Sequence, residues 1–320
     1  MRGRRRRADA GAAAEGRWPV EAGAPRVLIV ACAKDEAPYL PEWIAWHRLI
    51  GAAEILIYTN DCTDGTVRLL KRMEVLGHAT HAYNLLLTRD GAPLPPQQRA
   101  LRHMMQDPLY AACDWVLHID IDEFVVIGPR GRGRFSDLLT GRDGADVIPL
   151  VWKPFGANGA ERLGARLVTE TLIDRAPGRR GAARPFKALT RITPAIRRHG
   201  VHRPGAEPPL RWESADGRPL PELATAGFEL SGDYGFRGAA LHHYALRGFE
   251  AYAMKAERGS GARVSRDFGP GYYRDHNGTG RTDLTLWMQR ERIGEVVAEM
   301  CADPDVTDIL ASARRRHRRR

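Results

Sequence analysis

Residues 115–127 read WVLHIDIDEFVVI. Three acids, Asp120, Asp122 and Glu123, interrupt an apolar run of the kind that forms a buried strand. Carboxylates are costly to hold near a core unless a cation or a hydrogen-bond network satisfies them. Side chains alternate along a strand, so Asp120 and Asp122 are expected on one side and Ile121 on the other. Two carboxylates that close repel each other unless a cation stands between them. Hard oxygen ligands favour Mg²⁺ or Mn²⁺, ions that commonly bridge a carboxylate to a substrate's phosphates. A strand end that merely faces water is the plainer alternative, and the apolar residues on both sides weigh against it.

Upstream, RVLIVACAK (26–34) is a short continuous apolar run, as expected for a strand covered on both faces. PYLPEWIAWHRLIG (38–51) follows with helical spacing; Pro41 suits its first turn and Gly51 its stop. EILIYTN (54–60) predicts a second strand, DCTDGT (61–66) a capping turn, and residues 66–76 a helix. HATHAYN (78–84) predicts a weaker strand and PPQQRALRHMMQDPLYAA (95–112) another helix, before the acidic strand. Four strands alternate with three helices, which predicts an α/β fold: an open, mostly parallel, Rossmann-like sheet with helices on both faces. Ligands bind such sheets at the carboxyl ends of the strands. Beyond this, ADVIPLVWKPFG (145–156) predicts a strand and turn, and residues 157–185 and 203–227 predict loops and short hairpins. Residues 247–259 and 282–302 predict helices of a C-terminal extension.

The chain has 320 residues, 43% of them hydrophobic, and a net charge of +10. Eleven arginines lie in two terminal runs, at 2–7 and 314–320, and subtracting them from +10 leaves the rest at −1. The high charge is therefore expected in two solvated basic tails, 1–24 and 301–320. Such tails could touch an anionic membrane surface, whereas no specific nucleic-acid partner is expected. Cys32, Cys62, Cys113 and Cys301 form no CxxC pair, which suits a reducing compartment. No apolar run reaches the roughly 18 residues of a membrane span, and the N-terminus lacks an apolar signal core. The expected location is cytoplasmic, with membrane association at the inner face through the tails.

The first strand ends in Lys34, Asp35 and Glu36, the second in TNDCTDGT, the fourth in the acids. Three strand ends thus deliver polar groups toward one edge. VLIVACAKDEAPYLPEWIAWHRLIGAAEILIYTNDCTDGT, then QQRAL, then DWVLHIDIDEFVV resemble the family-2-like glycosyltransferases of the GT-A fold. The nearest branch is the bacterial group related to domain-of-unknown-function-23 and family-92 enzymes. The resemblance covers residues 26–156 and continues more thinly through VWKPFGANG, HHYALRGFEAYAMKAERG and DHN (275–277). It implies transfer of a sugar from a nucleotide-diphosphate sugar to a saccharide, lipid-linked or other hydroxyl acceptor, with Mn²⁺ or Mg²⁺. It also implies one domain over 25–300, with a nucleotide-sugar half (25–156) and an acceptor half (157–300).

Carried over by position, Asp35 and Glu36 would border the nucleotide, and Asp61 would meet the base or ribose. Asp120 and Asp122 match the DxD pair that holds ribose and metal-diphosphate. His243 is the candidate further metal ligand, with His242 second. Lys255 and Arg258, three apart on a helix, could neutralise the leaving diphosphate. Cys62 stands where a serine is common. No Glu-Asp base motif precedes an acceptor helix, so the general base is left among Asp275, Asp233 and Glu250, with inversion or retention open.

Several of these residues have plainer readings. Glu123 could cap the strand end or pair with an arginine; His78 and His81 lack an acidic neighbour and read as structural; Lys255 and Arg258 could be a solvated helix face. Trp43, Trp46 and Trp152 read as core or pocket walls, and Gln97 and Gln98 as first-turn residues facing the site. Among rival functions, an aspartate-nucleophile phosphatase would place its motif on the first strand and not follow it with Phe124. A metal-dependent nucleotidyltransferase is the nearer alternative, but it would show a Gly-rich basic loop where this chain has AKDEAPY (33–39). A non-enzymatic nucleotide or nucleic-acid binder is the third, and the near-neutral middle of the chain speaks against it.

Overall fold

In a computed structural model the chain describes residues 18, 20–128, 133–175, 184–224, 227, 229–230, 237–258, 268–278 and 280–317. The first strand, β1 (Val27–Ala33), is buried along nearly all its length because both its faces are covered. Val27, Ile29, Ala31 and Ala33 pack one way, beneath helix α1 (Leu40–Leu49) and helix α2 (Thr66–Val75). Leu28 and Val30 pack the other way, against helix α3 (Pro96–Met104). Strands β2 (Glu54–Thr59) and β3 (Thr80–Tyr83) extend the sheet in parallel on one side, and β4 (Trp115–His118) on the other. This is the expected Rossmann-like arrangement, with helices on both faces.

The stretch read as one strand, 115–127, is two. β4 ends at His118, the chain leaves the sheet through Ile119–Asp122, and β5 (Glu123–Ile127) begins again at the far edge. Strands β6 (Val147–Pro154), β7 (Arg184–Arg191) and β8 (Ala239–His243) fill the gap, giving the order β3-β2-β1-β4-β7-β6-β8-β5. β7 is antiparallel to β4 and β6, β8 is parallel to β6, and β5 is antiparallel to β8. A two-residue strand, Glu229–Leu230, flanks β7. Asp120 and Asp122 therefore stand in a crossover at mid-sheet, not on a strand face, and Glu123 opens β5. The crossover backbone is paired outside the regular ladder: the Ile119 N–H donates to the Val30 carbonyl, the Tyr244 N–H to the Asp122 carbonyl, and the Asp120 N–H to the Glu123 carboxylate.

β5 is an edge strand, and α1 covers its open groups. The indole N–H of Trp43 donates to the Glu123 carbonyl at 2.8 Å and that of Trp46 to the Val125 carbonyl at 2.6 Å. The Val125 N–H donates to His47 Nε2 at 3.3 Å, while His47 Nδ1 meets the Trp43 carbonyl at 2.8 Å. The indoles are thus core walls, as read, but with a second task of closing the sheet. Burying an aromatic of this size removes on the order of 200 Å², about 5 kcal/mol of apolar transfer.

The expected basic tail at 301–320 is corrected. Residues Pro304–His317 form helix α7, which packs behind helix α6 (Arg290–Cys301). Val306, Ile309, Leu310 and Ala313 repeat at helical spacing and are all buried, so Arg314, Arg315 and Arg316 end an anchored helix. Residues 1–17 of the N-terminal basic stretch lie outside the described residues.

Candidate functional site

The carboxyl ends of β1, β2 and β4 open onto a cavity of about 290 Å³. Its floor carries Asp120, Asp122 and Lys187; Glu36 and Asp61 stand on one side, and Trp152, His202 and His243 on the other. Lys255 from helix α4 (Phe249–Arg258) and Tyr272 from helix α5 (Pro270–His276) complete the wall.

The acids of the first two strand ends divide into builders and liners. Asp35 and Asp61 both adopt left-handed backbone, with φ of 53° and 50°, which aspartate tolerates better than most residues. Asp35 turns its carboxylate into the neighbouring loop, accepting from the Thr63 N–H at 2.5 Å and the Asp64 N–H at 3.0 Å. Asp64 in turn accepts from the Ala37 and Thr66 N–H groups and lies 3.3 Å from His317 Nε2 of α7. Glu36 and the exposed Asp61 are the two that line the cavity. Glu36 pairs with Arg247 at 2.8 Å, whose guanidinium lies 3.9 Å above the Tyr39 ring.

The carboxylates of the crossover are held by two lysines. Asp120 takes the Lys187 ammonium at 3.0 Å on one oxygen and the Gln97 amide on the other. Lys187 is almost wholly buried and also lies 3.7 Å from Glu123. Glu123, fully buried, accepts from the Asp120 N–H at 2.7 Å. Asp122 Oδ2 takes the Lys255 ammonium at 2.7 Å, while Oδ1 faces His243 Nε2 at 3.7 Å with no hydrogen-bond donor.

Charge follows from these neighbours. Burial pushes the Asp122 carboxyl upward, but Lys255, His243 and Arg247 outweigh it and hold it well below the usual range. Asp120 is lowered in the same way, with Lys187 overcoming burial. Glu123 goes the other way: burial raises it, Lys187 only partly offsets that, and the charges of Asp120 and Asp122 add to the rise. Burial lowers His243 to about 3, so its ring is neutral near pH 7.

The sequence-derived candidates separate accordingly. Asp120, Asp122, His243, Lys255, Glu36 and Asp61 come together at one cavity, whereas Asp35 serves the loop beside it. Asp275 is exposed on α5, away from the cavity lining, and Glu250 lines a different cavity with Phe249 and Glu257. Asp233 lies outside the described residues. Arg258 is the last residue of α4, and its side chain is not described. His242 is fully buried beside Phe155, their ring centroids 4.6 Å apart. His81 meets Thr59 Oγ1 at 2.8 Å, a structural role. Sequence reasoning missed Lys187, Arg247, His202 and Tyr272. Lys187 alone left a signal, a lone cation in the apolar alternation of PFKAL (185–189).

Residues 31–150 match the model of glycosyltransferase family 92, which bears out the resemblance over that stretch. A glycosyltransferase family 92 protein of Oryza sativa subsp. japonica is 34% identical over 92 residues, 29% of this chain and 15% of that protein. One of Ricinus communis is 29% identical over 105 residues, 33% of this chain and 16% of that protein. These alignments thus span about a sixth of the relatives' own length. Among solved structures, S. aureus TarS 1–349 in complex with UDP is similar at a TM-score of 0.29 and 15% identity, over 42% of this chain and 37% of that chain. Glucosyl-3-phosphoglycerate synthase from Mycobacterium tuberculosis, in complex with Mn²⁺, UDP-glucose and phosphoglyceric acid, gives 0.27 and 17%, over 46% and 47%. At these scores the likeness is slight.

Proposed function

We propose, from a family-92 glycosyltransferase region running from 31 to 150, that this chain transfers a sugar from a nucleoside-diphosphate donor to an acceptor hydroxyl. The observation that carries the reading is the pair Asp120 and Asp122, set into a cavity at the carboxyl ends of parallel strands and inside the matched region. Glu36 and Asp61 border the nucleoside. Asp120, already oriented by Lys187 and Gln97, accepts from a ribose hydroxyl.

Asp122 and His243 suit a divalent cation. Asp122 Oδ1 is buried and lacks a donor, and the facing imidazole is neutral. Their 3.7 Å separation exceeds a hydrogen bond, and these are the two side chains that would hold an ion. Among the described residues no cluster of three or more His, Cys, Asp and Glu groups is placed to hold an ion alone. The protein would therefore supply two ligands, and phosphates and water the rest. A bound Mn²⁺ or Mg²⁺ would neutralise charge on the departing diphosphate. Lys255 adds a fixed positive charge on the same side.

An inverting transfer needs a base within reach of the acceptor hydroxyl. Of the cavity's groups we assign that role to His202, whose Nδ1 is fixed on the Phe186 carbonyl at 2.9 Å. The acceptor enters from the side of Trp152 and Tyr272, with 157–300 as the acceptor half. The four free cysteines accord with a reducing, cytoplasmic setting. Among the described residues no helix is long and apolar enough to cross a membrane.

The test is sugar release from UDP-, GDP- and dTDP-sugars with Mn²⁺ or Mg²⁺, in wild type and in His202→Gln. The expected outcome is metal-stimulated release with one nucleotide class, and transfer to acceptor reduced about 10²-fold in the variant. Absence of binding and release across the donor panel would defeat the reading.

A further inference from the structure

Lys255 occupies the place where a cation would be drawn in. Its ammonium lies 2.7 Å from Asp122 Oδ2 and 3.1 Å from the Ala245 carbonyl, in a side chain 14% exposed. The rings of Tyr272 and Phe268 flank it, at 5.8 Å and 6.0 Å from their centroids. Lys187 already neutralises Asp120 and Gln97 takes its second oxygen. Asp122 thus lines the cavity with an oxygen left over, whereas Glu123, whose Oε1 also lacks a donor, is not part of the lining; the negative charge of Asp122 is already balanced.

A divalent ion entering between Asp122 Oδ1 and His243 would sit within a few ångströms of that ammonium. In a partly buried site the repulsion between them is weakly screened. A diphosphate changes the balance, because it offers the ammonium and the ion separate oxygens. We propose that Lys255 is an internal counter-ion for Asp122, so that the metal binds together with the diphosphate and not before it. On arrival of the complex, Lys255 shifts part of its bonding from Asp122 to the phosphate oxygens, and no covalent bond changes. This rests on the glycosyltransfer reading and adds an order of binding to it. By linkage the coupling is reciprocal: nucleotide tightens metal as much as metal tightens nucleotide.

The experiment measures Mn²⁺ binding to the full chain by the EPR signal of free Mn²⁺, with and without saturating UDP or GDP. The wild type is expected to bind Mn²⁺ alone at least tenfold more weakly than with the nucleotide. In Lys255→Met, Mn²⁺ alone is expected to bind at least tenfold tighter than in wild type, and the coupling to nucleotide to shrink. Equal Mn²⁺ affinity with and without nucleotide in wild type would overturn the proposal, and this arm does not depend on the variant folding. Coupling unchanged in a folded Lys255→Met would also overturn it while leaving the donor site intact. Binding of nucleotide without any Mn²⁺ in either protein would overturn the metal assignment itself, whereas binding of neither nucleotide nor Mn²⁺ would defeat the glycosyltransfer reading as well.

Discussion

The two halves of the sheet are built on different rules. Among β1 to β4 all the mutual pairings are parallel, and β1, β2 and β3 are each followed by a helix that covers the sheet. In β5 to β8 directions are mixed, and partners come from far along the chain, as when β5 pairs with β8. The parallel half supplies the rims of the cavity. The mixed half supplies the two cations paired with Asp120 and Asp122: Lys187 from β7, and Lys255 from the helix after β8. The site exists because one half contributes carboxylates and the other the charges that make their burial tolerable.

That division can be broken at Lys187. Lys187→Met leaves the fully buried Glu123 and the partly exposed Asp120 with no cation between them, and breaking a buried ion pair is expected to destabilise by about 3–5 kcal/mol. Urea denaturation measures it. A loss below about 1 kcal/mol would mean that the lysine is incidental to the crossover.

The next test weakens the seam where the halves meet. Trp43→Phe keeps most of the apolar area but leaves the Glu123 carbonyl without its indole donor, a loss of about 1–3 kcal/mol. Thermal melting checks it, and a loss no larger than that of an exposed aromatic substitution would discount the edge-capping role.

The smallest effect is a pH dependence. Because Glu123 is raised in the fold, its protonated form favours the native state. That contribution is full below the ordinary glutamate pKa of about 4.3 and is lost as pH rises toward the folded value. Glu123→Gln should therefore lack this loss, and its stability relative to wild type should climb as pH is raised above about 4.3. A difference flat from pH 4 to 8 would show Glu123 ionised throughout.

The same contrast explains what could be read from the sequence. The strand and helix at 26–34 and 38–51 appear at Val27–Ala33 and Leu40–Leu49, since parallel units carry local signals. The acids of 120–123 were legible as buried charge demanding a partner. Their partner was not, because β7 lies about 65 residues away and its place beside β4 depends on pairing that periodicity does not encode. For the same reason WVLHIDIDEFVVI resembles one strand: nothing in its alternation marks the crossover. Helix α7 was hidden by its arginines, although the apolar spacing at 306, 309, 310 and 313 was present beneath them.

The most direct measurement is metal-dependent release of sugar from the preferred nucleotide donor by Asp122→Asn. The account predicts a folded protein with turnover reduced by about 10²-fold or more. Turnover equal to wild type, with the same response to Mn²⁺, would contradict it.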